Sequence, residues 1–306
     1  MNKNSKKVAV MVSTYNGEKY IAEQLDSIIN QTYKNIDIYV RDDKSSDGTL
    51  NILKKYESAG KIILLDSKKN LGYPEAFYEI MRNVRKYDYY SFSDQDDIWY
   101  EDKIERAVSI LSDSDSTKPA LLFANYDVCD INLNHIRTSV GPNRNPDFRY
   151  SLFSSIGLGF TYVLNQKALE LCLSKRSIKN TTKDVWIGML SSAFGEVYYD
   201  SKPCANHRRN PGAYSSQDTK FWSTQKDRFT KFFKNDGFKN IYSVLLEFYD
   251  MFNKELSIKD KKTMELFLYR GFNPIKIIKK VFYPHRLRYD FKDELMLRII
   301  FLIRKL

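Results

Sequence analysis

Three aspartates lie within four residues, in the segment Asp94-Gln95-Asp96-Asp97. Carboxylates at this spacing repel one another unless solvent or a cation offsets their charge. A fully solvated loop would tolerate them, but this segment follows an aromatic, β-rich stretch, and at the end of a strand solvation should be partial. Hard divalent cations prefer such oxygen ligands and usually keep waters or substrate phosphates as their remaining ligands. The cluster therefore predicts a site for Mg²⁺ or Mn²⁺.

A second acidic pair, Asp42-Asp43, ends another β-rich segment. Two interpretations stay open. One is a turn at a strand end, in which Asp47 caps the helix that follows. The other is a carboxylate that accepts the imide N–H of a pyrimidine base.

The strands before these acidic segments belong to a regular alternation. Apolar, β-rich runs predict strands at 8–13, 36–40, 62–65, 87–93 and 120–124, and 3.6-residue periodicity predicts helices at 18–30, 49–56, 74–86 and 101–111. Alternating strands and helices indicate an α/β fold with a mainly parallel sheet flanked by helices. Since ligands of such sheets bind at the carboxyl ends of the strands, both acidic segments are expected at one binding edge.

The pattern becomes irregular after residue 125. A loop is predicted at 141–146, strands at 160–164 and 197–199, and helices at 166–173 and 184–193. From residue 221 the chain is helical, aromatic and basic. We therefore expect an α/β domain over residues 1–220 and a helical C-terminal region over residues 221–306.

Charge is distributed unevenly along the 306 residues. The net charge is +11, and residues 221–306 carry 19 Lys or Arg against 10 Asp or Glu, so most of the excess lies in the C-terminal region. Nucleic acid, anionic lipid and phosphorylated substrates are the partners that such a charge would suit. Within the C-terminal region, short apolar runs flanked by cations predict either helices that pack on the α/β domain or interfacial helices on anionic lipid.

The cysteines and the apolar runs bear on the compartment. Cys129, Cys172 and Cys204 lie far apart without paired spacing, which argues against a disulfide framework and a zinc site. The first apolar run ends too early for a signal peptide, and no run has the roughly 18 apolar residues of a membrane span. A cytoplasmic protein is expected, with the inner face of the cytoplasmic membrane as its one candidate peripheral location.

Three ordered motifs carry a family resemblance. They are Ser13-Thr-Tyr-Asn-Gly17, Arg41-Asp-Asp-Lys-Ser-Ser-Asp-Gly-Thr49 and Ser93-Asp-Gln-Asp-Asp-Ile-Trp99. Together they resemble family 2 glycosyltransferases of the GT-A fold, and the third is most similar to the bacterial rhamnosyltransferase-like branch. The resemblance is strong over residues 8–105 and extends to about residue 215. It implies that residues 1–220 form the catalytic domain.

The resemblance also implies roles in binding the donor. Asp42 or Asp43 would bind the nucleotide base, Asp94 would lie near the sugar or ribose, and Asp96 would bind the metal ion. The remaining residues that the motifs place at the donor are Thr14, Tyr15, Asn16, Gln95 and Trp99.

The second half of the resemblance concerns the acceptor. The family's catalytic base is the aspartate of a Glu-Asp or His-Asp pair that opens a helix, which matches Asp184 here, with Lys183 in place of the usual His or Glu. From the residues alone, an acid at this place is more often a helix cap. Gly159 would permit close approach of donor sugar and acceptor, and Trp186 would shape the pocket for the sugar. Core packing is the simpler explanation for Trp186, as it is for Trp99.

A basic segment after the expected base resembles another part of the family's site. His207 would bind the metal ion or contact the diphosphate, although a surface or core histidine is as common. Arg208 and Arg209 would neutralise phosphate, unless they are solvated surface charges.

We therefore expect an inverting glycosyltransferase that moves a sugar from a nucleotide-diphosphate donor to a lipid-linked or polysaccharide glycan. By resemblance dTDP-rhamnose is the favoured donor, and a UDP-hexose is the alternative; nucleic acid is not an expected partner. A sugar nucleotidyltransferase would need a Gly-rich, Arg-containing loop near residue 12, which Ser13-Thr-Tyr-Asn-Gly17 does not supply. A non-catalytic nucleotide-sugar-binding protein is the remaining alternative.

Overall fold

A computed structural model describes residues 6–142, 145–175, 181–209 and 237–303. Its central feature is a seven-stranded sheet in the order β10-β6-β9-β4-β1-β2-β3. These strands are β1 (Val8–Thr14), β2 (Ile36–Asp42), β3 (Ile63–Leu65), β4 (Tyr89–Ser93), β6 (Ala120–Ala124), β9 (Val163–Asn165) and β10 (Glu196–Asp200). All neighbours are parallel except β9, which runs antiparallel to both β4 and β6. The prediction of a mainly parallel sheet is confirmed.

Helices flank this sheet. In the first two thirds of the chain they are α1 (Ile21–Ile29), α2 (Thr49–Ser58), α3 (Glu75–Asn83), α4 (Lys103–Leu111), α5 (Phe148–Ser151), α6 (Gln166–Ser174) and α7 (Lys183–Phe194). The apolar face of α1 shows why they form: Ile21, Leu25 and Ile28 recur at helical spacing and are all buried. Strand β1 is buried along nearly its whole length, as expected of a parallel strand covered on both faces.

Four short strands form a second sheet that the sequence did not reveal. It has the order β5-β11-β7-β8, with β5 (Ile98–Trp99), β7 (Asp127–Cys129), β8 (His135–Thr138) and β11 (Ala205–Arg208). Strand β11 pairs antiparallel with β5 and parallel with β7. Since β5 directly follows the acidic segment, this small sheet brings β11 to that segment.

Several predicted boundaries were wrong. Helix α1 begins at Ile21 rather than residue 18, because residues 18–20 form a turn, and Pro74 precedes the first residue of α3. The strand predicted at 160–164 is instead a 3-10 turn, Gly159–Thr161, followed by β9. The reversal to an antiparallel strand explains the error, since a tight turn must precede it.

The C-terminal region is helical, with α8 (Gly237–Phe252), α9 (Ile258–Leu268), α10 (Pro274–Val281) and α11 (Phe291–Leu302). Its buried residues share one hydrophobic cluster with α3, α6 and α7. Phe248 of α8 packs against Trp186 of α7 with ring centroids 5.5 Å apart. These helices therefore complete the core of the α/β domain. The predicted boundary at residues 220 and 221 lies outside the described residues.

Candidate active site

The carboxyl ends of β1, β2 and β4 meet at one edge of the main sheet. The register pairs Thr14 with Asp42 and Val12 with Ser93, so the segments that follow these strands start side by side. The backbone N–H of Asp43 donates to the carbonyl of Thr14 over 2.7 Å. The fold therefore brings the two acidic segments to the same end of the sheet, as predicted.

Gln95 ties the acidic loop to the loop after β1. Its side-chain oxygen accepts hydrogen bonds from the Thr14 hydroxyl and the Tyr15 backbone N–H, both over 2.8 Å. Asn16 adopts a positive φ of 49° and accepts a hydrogen bond from the Ser46 backbone N–H. These contacts fix the loop after β1 beside the acidic loop, with the Tyr15 ring half exposed.

Asp42 and Asp43 are both buried and hold the loops around them. Asp42 accepts hydrogen bonds from the backbone N–H and hydroxyl of Ser45. Asp43 pairs with Arg41 and accepts from the backbone N–H groups of Leu71 and Gly72. Carboxylate oxygens can accept further hydrogen bonds. Recognition of a base by either aspartate stays a prediction.

The acidic loop is electrostatically crowded. Burial raises the pKa of Asp96 to about 7, and the charges of Asp97 and Asp94 add to the shift. Burial likewise raises the pKa of Asp94 to about 6, where the Lys183 ammonium opposes the shift and Asp97 and Asp184 support it. The positive charge near Asp94 and Asp96 is therefore too small to offset burial and the neighbouring carboxylates, and the protonated forms are favoured.

His207 reaches this loop from the second sheet. Its Nδ1 lies 2.7 Å from Oδ1 of the fully buried Asp97, and its ring stacks on Phe160 with centroids 4.9 Å apart. Burial disfavours the charged imidazole, but the hydrogen bond to Asp97 and the charges of Asp97, Asp94 and Asp96 outweigh it and raise the pKa of His207. Because Nδ1 is occupied, Nε2 is the nitrogen left for a ligand.

The donor atoms suit a divalent cation that also binds substrate. Within the described ranges, no three His, Cys, Asp or Glu side chains are grouped closely enough to hold a metal ion alone. Mg²⁺ commonly uses only one or two protein carboxylates and completes its shell with water and phosphate. Excess negative charge at Asp94 and Asp96, and a histidine oriented by a carboxylate, match that arrangement.

Asp184 enters the same site from the N-terminus of α7. Thr182 caps this helix by accepting a hydrogen bond from the Val185 backbone N–H, so Asp184 itself is not the cap. Its Oδ1 accepts a hydrogen bond from the Lys183 ammonium over 2.7 Å. The charges of Asp184 and Lys183 both act on the pKa of Asp94, so the two carboxyl groups lie close enough to interact electrostatically.

Lys183 is the unusual member of this group because its side chain is only 1 % exposed. Its Nζ lies over the rings of Phe77, Phe92 and Tyr73, at 4.4, 5.1 and 5.3 Å from their centroids. Aromatic faces attract a buried cation through their quadrupoles. The residue that replaces the family's His or Glu is therefore the ion-pair partner of Asp184.

Gly159 explains how Asp184 and Lys183 fit there. A Cβ at residue 159 would lie 2.1 Å from Oδ1 of Asp184 and 2.2 Å from Nζ of Lys183. Glycine was expected at this place to admit the substrates. In the structure it makes room for the ion pair.

For the two tryptophans the structure favours the core-packing alternative. Trp99 and Trp186 are 3 % and 0 % exposed, so neither buried ring can stack on a sugar. The ammonium of Lys103 lies 3.1 Å from the centroid of the Trp99 ring, and Trp186 donates through Nε1 to a backbone carbonyl. Both tryptophans are core residues.

The two arginines of β11 and its end differ in placement. Arg208 is buried, pairs with Glu23, donates to the Ile131 carbonyl and lies 5.0 Å from the Tyr20 ring centroid. It is committed to internal contacts, which corrects its expected role at phosphate. Arg209 is exposed at the end of β11, so its predicted role at phosphate stays a prediction.

Two contacts in the candidate site could not be predicted from the sequence. Asp97 was one of a cluster, and only the pairing of β5 with β11 assigns it to His207. Lys183 was noted only as a departure from the family pattern. Its aromatic surroundings come from α3 and β4, which are distant in sequence and gave no signal.

The mainly parallel sheet flanked by helices is that of a GT-A glycosyltransferase, a class that the comparison with known families supports. The family model for glycosyl transferase family 2 matches residues 9–169, more than half of the chain, and the chain belongs to this family. It is 38 % identical over 217 residues to the dTDP-rhamnosyl transferase RfbG of Shigella flexneri, covering 65 % of this chain and 71 % of that protein.

Solved structures support the fold. The S. aureus TarS 1-349 complex with UDP-GlcNAc matches with a TM-score of 0.63 at 17 % identity, over 95 % of this chain and 79 % of that one. The mannosyltransferase PcManGT from Pyrobaculum calidifontis, in complex with GDP-Man and Mn²⁺, matches with a TM-score of 0.52 at 15 % identity, over 97 % and 74 %.

Proposed function

We propose that this glycosyltransferase moves rhamnose from a dTDP-linked donor to a hydroxyl of a lipid-linked or polysaccharide glycan, with inversion of configuration. The similarity to the dTDP-rhamnosyl transferase RfbG supports this donor. A UDP-hexose is the second candidate, because a structural neighbour was solved with UDP-GlcNAc.

One observation supports the proposed mechanism: Asp184, from the second half of the chain, pairs with Lys183 close enough to Asp94 of the acidic loop for both charges to act on the Asp94 carboxyl group. In the mechanism Asp184 accepts the proton of the acceptor hydroxyl, which attacks the anomeric carbon from the side opposite the diphosphate. A single displacement inverts the configuration and requires no nucleophilic side chain.

The remaining residues bind and orient the donor. Asp96 and Nε2 of His207 would hold Mg²⁺ or Mn²⁺, which when bound offsets negative charge on the diphosphate. Asp97 orients the His207 ring through Nδ1. Tyr15 supplies a half-exposed ring beside the acidic loop, and Asp42 or Asp43 would accept the base N–H.

Transfer and donor hydrolysis assays test these roles. With Mg²⁺ or Mn²⁺ present, Asp184→Asn is expected to lose about 10²–10⁴-fold in kcat while still binding the nucleotide, because only the base is removed. Asp96→Asn is expected to weaken metal-dependent nucleotide binding. Asp250→Asn, an exposed aspartate of α8, is the matched control. Full activity in both site variants would overturn the assignment.

The donor is tested separately by thermal shift. A ligand that binds the native state raises the melting temperature, and at equal concentration the ligand with the lower Kd raises it more. We expect dTDP-rhamnose with Mn²⁺ to give a larger shift than UDP-GlcNAc at equal concentration. A larger shift with UDP-GlcNAc would favour the second candidate.

A further inference from the structure

Helix α11 is apolar on two opposite faces. Its inner face carries Leu297, Ile300 and Phe301, which are at most 1 % exposed in the shared core. Its outer face carries four large apolar residues that are 39–64 % exposed: Phe291, Leu295, Ile299 and Leu302. Their spacing of four, four and three residues forms one stripe. Large apolar side chains of a helix normally pack against a neighbouring element, but in the part of the chain that the structure describes this outer stripe stays exposed.

Helix α10 repeats this arrangement. Ile275, Ile278 and Phe282 lie at i, i+3 and i+7, and are 57–76 % exposed. On the opposite side, the buried Lys280 ammonium donates to the carbonyls of Phe267 and Tyr269 and ties α10 to α9. Helix α10 therefore packs on α9 through the side that carries Lys280, and the stripe of Ile275, Ile278 and Phe282 is its solvent-exposed side.

The helices that carry the two stripes pack against each other. Arg298 of α11 donates to the carbonyls of Lys280, Val281 and His285, at the end of α10 and beyond it. Phe282 immediately follows Val281. We call the seven exposed apolar residues of α10 and α11 the outer face. Seven large apolar side chains exposed on two packed helices point to an interaction site.

Exposed cations flank the outer face. Of the seven Lys or Arg between residues 271 and 303, the exposed ones are Lys279, Arg286 and Lys292, against the exposed Asp290 and Asp293. Lys279 and Lys292 are exposed beside the apolar stripes, and the Arg286 guanidinium lies 5.4 Å from the Phe291 ring centroid. Apolar side chains flanked by cations match the boundary between acyl chains and anionic headgroups.

A second copy of the chain would suit this face less well. A two-fold dimer places the same patch on both partners, so the cationic rims would face each other and repel. Among the described residues, no helix is long and apolar enough to span a bilayer. We propose that the outer face of α10 and α11 docks the enzyme on the surface of an anionic lipid bilayer.

Co-sedimentation with vesicles tests this docking without any sugar donor, so its result is independent of the proposed function. The full chain is expected to bind vesicles of phosphatidylcholine with phosphatidylglycerol, to bind pure phosphatidylcholine weakly, and to be released by salt. The double variants Ile278→Ser/Phe282→Ser and Lys279→Gln/Lys292→Gln are each expected to lower the partition coefficient roughly ten- to thirty-fold.

Matched controls are available on other elements. Ile136→Ser changes an exposed apolar residue of β8, and Lys54→Gln/Lys55→Gln changes two exposed lysines of α2. Unchanged melting temperatures show that each variant is folded. The proposal is overturned if the wild-type chain ignores anionic vesicles, or if controls and outer-face variants bind equally. It is also overturned if the chain dimerises and Ile278→Ser/Phe282→Ser makes it monomeric.

Discussion

At the scale of single residues, the site concentrates carboxyl groups where water is scarce. Asp96 shows the consequence, since burial and its neighbours raise its pKa to about 7. A raised pKa means that the native state binds the proton more tightly than the unfolded chain. The stabilisation is complete below the unfolded pKa of 3.8 and is lost as the pH rises through about 7.

The first prediction follows for Asp96→Asn without metal. At pH 8 the wild-type carboxylate destabilises the fold by about 1–2 kcal/mol after allowance for solvent screening, so the variant should melt a few degrees higher. At pH 5 the difference in melting temperature between variant and wild type should be smaller, because Asp96 of the wild type is then protonated. Thermal unfolding in EDTA measures both differences, and Asp250→Asn should change neither. A variant less stable than wild type at pH 8 would contradict the inference that the ionised Asp96 destabilises the acidic loop.

The second prediction concerns His207. In Asp97→Asn the hydrogen bond to a charged partner is lost while burial and the charges of Asp94 and Asp96 remain, so the His207 pKa should fall. Proton NMR of the imidazoles can follow this, because the chain has only three histidines. His207→Gln assigns the signal. An unchanged titration would show that Asp97 does not control this ring.

These residues also show what sequence could predict. The acidic cluster was recognisable because three carboxylates within four residues have few other uses at a strand end. Unlike the acidic cluster, the His207–Asp97 and Lys183–Asp184 pairs could not be predicted from the sequence. The first joins residues 110 positions apart, and the burial of the second depends on rings from α3 and β4. No local pattern encodes either environment.

At the scale of elements, the 3-10 turn before β9 packs directly on the first turn of α7. Gly159 is the contact point, and any side chain there would displace the Asp184 carboxylate and the Lys183 ammonium. The turn therefore sets the position of the candidate base without touching it through a side chain.

The third prediction is that Gly159→Ala lowers kcat at least ten-fold while nucleotide affinity and melting temperature change little, because flexible side-chain ends can move aside. Gly60→Ala is the contrasting control. Its φ of +66° with open space around it predicts a loss of about 1 kcal/mol in stability and normal kcat. Steady-state kinetics and thermal unfolding of both variants measure the contrast. Normal kcat in Gly159→Ala would contradict the proposed role of the turn.

Strands that are buried along their length could be predicted from the sequence, whereas short or exposed strands could not. Central strands such as β1 and β6 are continuous apolar runs, so their position was evident. The second sheet was missed because β5 has two residues, β8 is exposed throughout and β11 is largely polar. Their pairing depends on tertiary contacts rather than on a periodic pattern.

At the scale of the whole molecule, the C-terminal helices belong to the core. Phe248 is fully buried and contacts Trp186, and it stacks near Phe148 and Phe194 at centroid distances of 5.6 and 6.3 Å. The basic composition of this region predicted helices but left open where they pack. The structure shows that α8 and α9 cover the α/β domain, while α10 and α11 keep an exposed face.

The fourth prediction compares two residues of α8. Phe248→Ala should cost about 3–5 kcal/mol, because it opens a cavity beside Trp186. Leu246→Ala, at a site that is 39 % exposed, should cost less than about 1 kcal/mol. Urea unfolding measures both. Equal effects would show that α8 is only an appendage.

The aromatic surroundings of Lys183 have a consequence for how inactive mutants should be read. Phe77 lies on α3, outside every motif of the family, yet its ring is the nearest of the three to the ammonium that pairs with Asp184. A random library screened for lost transfer should therefore return changes in α3 alongside the acidic loop. Such clones would resemble active-site mutants in their kinetics although the altered position never meets a sugar.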